Sequence, residues 1–391
     1  MKKIYVMLMI ITVVLLIITP VVYAQQKPTE DVGEIIDKTV DGLDMKQINT
    51  MIDELNEKSG DYMPEISFKG FLDSMLEGRQ YIGFKDIFTG FIKYIFKEIS
   101  GSLYFLGEIL VLGVVSAILD NIHGAFNGES IKSIASMAVY ILMTVIIMQN
   151  LNIAMGIGKQ AINQMTNFMQ AMLPVLITVM SSMGSFTGAA LFKPVVIGSA
   201  EVISKIIMEV VMPLIIMMSV IYLINSINEN IQISYLAKFL QKAAGVLIGL
   251  CLTIFVGIAT VQGVTSNSVD NLTVTTMKFA AGSFVPIIGH VLTDTLDVMF
   301  SSSMVISSAL RMISVIALFV IISLPVAKIV VLILIYKFTA AVVQPIVDKK
   351  LADALDGIGD SLTILLIAII CVGVMFYMSL TILIGASNPS I

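Results

Sequence analysis

The sequence predicts an all-α, polytopic helical membrane protein, with about seven transmembrane helices and an N-terminal extracytoplasmic segment of amphipathic helices. Three observations predict it. Charge is segregated: residues 25–102 hold 24 charged side chains, and residues 103–391, a far longer stretch, hold only 25. That longer stretch contains uncharged windows of 26 residues (133–158), 33 (160–192), 19 (210–228), 27 (243–269) and 31 (361–391). A helix crosses a hydrocarbon core of about 30 Å with about 20 apolar residues, and no soluble core needs so many windows of that length. Finally, the mean hydropathy of +0.96 and the apolar fraction of 57% exceed those of ordinary soluble domains.

Residues 1–24 read as a signal peptide. Lys2 and Lys3 form the basic region, residues 4–19 the apolar stretch, Pro20 its end, and Val22-Tyr23-Ala24 the small-residue site. Cleavage is expected after Ala24, because Gln25-Gln26-Lys27-Pro28 begins a polar segment at once. The alternative is an uncleaved first transmembrane helix. Cleavage would put the mature N-terminus outside the cytoplasm.

Residues 25–102 form the extracytoplasmic helical segment, with 9 basic and 15 acidic side chains. Over 30–58, apolar residues recur at three- and four-residue steps, from Val32, Ile35 and Ile36 to Ile48, Ile52 and Leu55. Gly60-Asp61 and Pro64 punctuate the chain. A second amphipathic stretch, 67–99, carries an aromatic series that includes Phe68, Phe71, Tyr81, Phe84, Phe88, Phe91 and Tyr94. Such faces suit either a helical pair lying on the membrane or on its own transmembrane domain, or a docking surface for other extracytoplasmic proteins.

The transmembrane domain, 103–391, offers spans at 103–119, 133–151, 168–185, 207–225, 243–262, 313–335 and 362–384. Glu108 interrupts the first. Pro325 and Lys328 predict that the sixth is broken or followed by a half-helix at 338–347. Basic residues divide five against six between alternate loops, so the positive-inside rule does not orient the chain, and the signal peptide is the better guide. A possible internal repeat joins 160–262 to 270–384. Leu236-Ala237-Lys238-Phe239-Leu240 matches Leu351-Ala352-Asp353-Ala354-Leu355, and Phe168 before Pro174 matches Phe279 before Pro286. With an odd number of spans in each unit, the topology is inverted, as in many transporters.

Polar residues in this domain are the candidate pore or contact residues. Glu201, Lys205 and Glu209 share one helical face, with Glu201 and Lys205 in the favourable ion-pair order. They line a water-filled path or meet lipid headgroups. Glu108, without a partner in sequence, is the single candidate for a buried functional carboxylate. The stretch 257–311 mixes glycines with Thr, Ser, Asn and Gln, and it is expected to be interfacial, re-entrant or a line of short helices. Gly282 and Pro286 are expected to interrupt any helix there.

Enzyme chemistry is not visible. There is no phosphate-binding G-x-x-x-x-G-K-[ST] and no H-E-x-x-H, and no local nucleophile–base pair. Cys251 and Cys371 lie in apolar runs, and with His123 and His290 they give no metal spacing. No cofactor is expected. The acidic balance gives no reason to expect nucleic acid as a partner. The chain is not by itself an ATP-driven pump, so any energy source would be a separate subunit.

Thr260-Val261-Gln262-Gly263, followed by Lys278-Phe279-Ala280-Ala281-Gly282-Ser283-Phe284-Val285-Pro286-Ile287-Ile288-Gly289, resembles the stage III sporulation protein AE family of endospore-forming bacteria. The resemblance covers essentially the whole chain and brings no catalytic residue with it. It implies one of eight proteins, AA to AH, made in the mother cell. The set builds a secretion-like channel complex across the two membranes between mother cell and forespore. The implied partners are a separate ATPase, ring-forming proteins of the intermembrane space and a forespore membrane protein, besides membrane lipid. The implied place is the mother-cell membrane facing the forespore, and the implied role is to support late forespore gene expression. A stand-alone permease or half-transporter for a small solute is the alternative.

Overall fold

The computed structural model describes residues 45–76, 81–121, 129–182, 193–227, 233–284, 289–345 and 349–385, and within them leaves the side chains of 262–284 and 289–301, among others, undescribed. The described residues are almost all helical, and none of them is in a strand. The signal-peptide expectation and the first helical turns expected from residue 30 lie outside them.

Two short helices come first, α1 (Lys46–Ser59) and α2 (Phe68–Leu76). In α1 the buried residues Ile48, Ile52, Leu55 and Ser59 recur at three- and four-residue steps, as the periodicity predicts. The helix ends at Gly60, whose φ of 52° is a left-handed conformation that favours glycine, and the Gly60 N–H bonds back to the Asn56 carbonyl. Asn56 then clasps the chain on its way to α2. Its Nδ2 donates to the Ile66 carbonyl at 2.7 Å, and its Oδ1 accepts from the Ile66 N–H at 2.9 Å. Phe71 of α2 meets Tyr81 edge to face at 5.6 Å. Burial raises the Tyr81 hydroxyl above its ordinary range, so it stays a donor toward the Glu65 carbonyl.

The remaining helices are much longer: α3 (Phe84–Asn121), α4 (Glu129–Ser182), α7 (Ser234–Phe284), α8 (Gly289–Val343) and α9 (Lys349–Gly385). Between α4 and α7 lie α5 (Gly198–Ile206) and α6 (Met212–Ile227), flanked and joined by single π-helical turns at Lys193–Ile197 and Ile207–Val211. Six stretches of the described residues are long and apolar enough to cross a membrane: Lys85–Val115, Met137–Val179, Val195–Asn225, Ser234–Val261, Val305–Val343 and Leu351–Ile382.

Among the described residues six such stretches stand where seven were expected, because 133–151 and the described part of 168–185 belong to one unbroken helix, α4. The interval between them carries Lys159, Gln160, Asn163 and Gln164. On a helix these residues share a side, while Ala161, Ile162 and Met165 are buried opposite. Pro325 does not break α8 either, and no separate half-helix follows, since 338–343 are its last turns. A proline inside a helix removes one donor, here the partner of the Ile321 carbonyl, and neighbouring helices hold the rest in place. The 257–311 stretch forms the ends of two long helices and not a line of short ones. α7 runs through Gly282 to Phe284, and α8 starts at Gly289.

The bundle is built around α8, which packs most extensively on α9 and then on α3 and α4. Its direction relative to each follows from paired contacts. Phe105 of α3 meets Tyr336 edge to face at 5.3 Å, and Glu98 lies 3.8 Å from Lys328, so α3 runs parallel to α8. Tyr336 points its hydroxyl at the Ile147 carbonyl (3.5 Å), and Ser314 Oγ lies 3.7 Å from Met172 Sδ, so α4 is antiparallel. α9 is antiparallel as well, through Lys337 to Asp360 and Ile322 to Gly373. Gln241–Asp360 and Ile248–Cys371 contacts align α7 with α9 in one direction. The two motif-bearing segments at 236 and 351 therefore open parallel neighbours, an arrangement that inverted units would not give.

The N-terminal helices sit against α8 and α4 rather than apart from them. Gly90 of α3 lies directly on the main chain at Tyr62, and a Cβ there would collide with the Tyr62 carbonyl. Backbone cannot swing aside as a side-chain tip can. Gly90→Ala is therefore expected to lower stability by about 1–3 kcal/mol through overpacking, and to speed proteolysis within 45–76. Gly107→Ala on the same helix meets open space and is expected to be near neutral. Equal thermal unfolding of the two variants in detergent would refute this account.

Candidate functional site

The described residues bring polar side chains of the bundle together at two levels. The first lies where α6 and α8 end and α7 and α9 begin. Lys337 of α8 donates to Asp356 Oδ1 at 2.7 Å and to Asp360 Oδ1 at 3.1 Å. Gln241 of α7 donates to the other oxygen of Asp360 at 3.4 Å. Asp356 and Asp360 stand one helical turn apart on α9, where like charges repel, and the ammonium of Lys337 sits between them. Tyr222 of α6 completes the group, within electrostatic range of both carboxylates.

Two glycines make room for this cluster. A Cβ on Gly357 would come within 2.5 Å of the Tyr222 ring, and one on Gly359 within 3.0 Å of Lys337 Cγ. Small residues let helices and long side chains approach closely inside an apolar bundle. Exposure ranks the two pairs: Asp356 is 59% exposed and Asp360 only 17%. Solvent screens the first contact, so the Lys337–Asp360 contact carries more of the coupling.

The second level lies nine residues earlier on α8, about 14 Å along the axis. Here Glu98 of α3 faces Lys328 at 3.8 Å. Lys97 lies over the rings of Tyr62 and Tyr94, at 4.7 and 5.7 Å from their centres. A cavity of about 180 Å³ opens beside Lys328, lined by residues of α1, α3, α4 and α8.

The candidate residues singled out by sequence pattern fall elsewhere. Glu108 has a partner one turn back on α3, where the Tyr104 hydroxyl donates to it. Tyr104 is 77% exposed and Glu108 is half-buried, so the carboxylate is not fully buried in the bundle. Glu201 accepts a hydrogen bond from Gln170 Nε2 of α4 at 2.6 Å, while Lys205 and Glu209 are exposed. Glu209 sits in the π-helical turn Ile207–Val211, a local departure that recurs at functional sites. Thr260 is exposed and donates to the Val256 carbonyl at 2.7 Å. Gln262, Gly263, Lys278, Phe279 and Gly282 lie along the later turns of α7, with side chains outside the described residues. Gly289 opens α8, and Pro286 lies outside the described residues.

Sequence pattern misses the cluster around Lys337 because its members are spread over four helices. It holds one local signal: Asp356 and Asp360, a turn apart, stand just before the uncharged window 361–391. Among the described residues no group of three or more His, Cys, Asp or Glu could hold a metal ion. What the two levels can do chemically is hold charge within apolar helices, as ion-conducting and substrate-binding sites in membranes do.

Removing Lys337 leaves two carboxylates facing each other without a cation. Lys337→Met is expected to cost about 1–3 kcal/mol, more than Asp356→Asn, and adding Asp360→Asn to Lys337→Met should recover part of the loss. Melting of the purified variants in detergent reads this order, and a fully additive double variant would refute the coupling.

Known proteins similar to this chain match most of its length. The family model described as stage III sporulation protein AE matches residues 66–387. A relative, the stage III sporulation protein AE of Bacillus subtilis (strain 168), is 28% identical over 359 residues, covering 92% of this chain and 90% of that protein. No solved structure matches.

Proposed function

The chain belongs to the stage III sporulation protein AE family, and we propose that it is the polytopic membrane component of a channel complex joining mother cell and forespore. In this reading it sits in the mother-cell membrane facing the forespore, with the N-terminal helices that precede α3 on the extracytoplasmic side. It works with the other A-group proteins, including a separate ATPase and ring-forming proteins, and with a forespore membrane partner. Its contribution is the membrane path or platform through which the complex sustains late forespore gene expression.

The observation that carries this reading is the extent of the family match. It runs from before α2 to the end of α9, and so takes in α2 together with all six apolar stretches. A role in sporulation thus attaches to the whole assembly of helices and not to one module. The chain carries no phosphate-binding motif, so an energy source, where one is needed, would be a separate ATPase.

One observation favours the second reading, a stand-alone permease for a small solute. The Lys328–Glu98 and Lys337–Asp360 contacts lie within apolar helices, where transporters place substrate and coupling charges.

Deleting the gene and imaging sporulating cells after engulfment separates the two. Under the channel reading, forespores are small and collapsed, late forespore gene expression is lost, and partner proteins are mislocalised. Normal spores with a defect only in vegetative uptake or export would overturn that reading and establish the permease.

A further inference from the structure

The cavity beside Lys328 has features that the sporulation role does not use. It holds about 180 Å³ and is lined by Lys58 of α1, Tyr94 of α3, Gln160 and Gln164 of α4, and Pro325 and Lys328 of α8, among apolar neighbours. Its polar lining is rich in donors. The nearest carboxylate to Lys58 is Glu54 and the nearest to Lys328 is Glu98, each at 3.8 Å. Charge-assisted hydrogen bonds run at about 2.7–2.9 Å, so neither ammonium is fully engaged. Among the described residues neither Gln160 nor Gln164 has a side-chain hydrogen-bond partner, although each lines the cavity and carries an amide NH₂ that can donate. Lys97, over the ring of the lining residue Tyr94 and that of Tyr62, adds a third positive charge near by, against the two glutamates.

We propose that this cavity binds a phosphate-type oxyanion that bridges Lys58 of the N-terminal segment and Lys328 of the bundle. Several donors from separate helices converge on one space, which suits an acceptor with several oxygens better than a single spherical ion. A volume of about 180 Å³ gives room for a phosphate group and some water. The bound anion ties α1 to α4 and α8, so that it fastens the N-terminal segment to the long helices. Free phosphate and the headgroup of an anionic phospholipid offer the same chemistry. The proposal stands apart from the sporulation role and does not rest on it.

The test uses the full chain in non-ionic detergent, with thermal unfolding followed while inorganic phosphate replaces chloride at constant ionic strength. The chain is also compared in nanodiscs of phosphatidylglycerol and of phosphatidylcholine. Phosphate or phosphatidylglycerol is expected to raise the melting temperature of the wild type. Lys328→Gln and Lys58→Gln should weaken that response at least tenfold, and Lys328→Arg should retain it. Lys58 lies on the exposed side of α1, so its variant keeps the fold even if the Lys328 change does not. Protection by phosphatidylglycerol alone identifies the source as a lipid headgroup, and protection by phosphate in detergent identifies it as the free anion. Equal responses of wild type and Lys58→Gln, or no response to either probe, would overturn the proposal.

Discussion

Everything in this bundle leans on the packing of α8. In lipid no hydrophobic force draws one apolar helix to another, so association depends on close contact and on polar groups that find partners. α8 supplies both. Its buried serines, Ser302, Ser303, Ser307, Ser314 and Ser323, are small enough to admit neighbours. Ser314 and Ser323 turn their hydroxyls onto their own backbone carbonyls, at Leu310 and Val320, and present little polarity outward. Larger residues then set the register. Tyr336 is fully buried between Phe105 and the Ile147 carbonyl, and so fixes α3 and α4 at the same height. Lys328 and Lys337 do the same for α3 and α9.

Two polar levels about 14 Å apart on one central helix organise the molecule differently from a simple row of spans. The level at Lys337 closes the end of the bundle and draws four helix ends together. The level at Lys328 lies partway along α8 and is where the N-terminal segment reaches the core. One helix joins the two parts of the chain: α3 begins among the N-terminal helices and continues as an apolar stretch across the expected boundary at 102/103.

Much of the class is legible in the sequence, and little of the site is. The uncharged windows after residue 132 point correctly to long apolar helices, since composition alone sets that requirement. The continuity of those helices is not legible. Lys159, Gln160 and Gln164 in α4 look like a loop when read as a linear interruption, yet a helix can devote one side to them while Ile162 and Met165 stay buried. Pro325 reads as a break, but packing on all sides of α8 holds the helix through it. The pairing of Lys337 with Asp360 or of Lys328 with Glu98 depends on which helices are neighbours, and single-sequence periodicity carries no such information. Glu108 shows the opposite case: its partner, Tyr104, is one turn away on the same helix, a local pairing that sequence does allow to be read.

The contact between Gly90 and the main chain at Tyr62 has a mechanical meaning. Because backbone meets backbone there, no side chain lies between α3 and the connection from α1 to α2 to give way under load. α3 in turn grips α8 at Glu98 and Phe105. A load applied to the N-terminal helices would travel down α3 and arrive at α8 as shear along parallel axes, spread over two grips, and would not peel one helix from the bundle. A chain built this way transmits force from its amphipathic end to its apolar core with little slack.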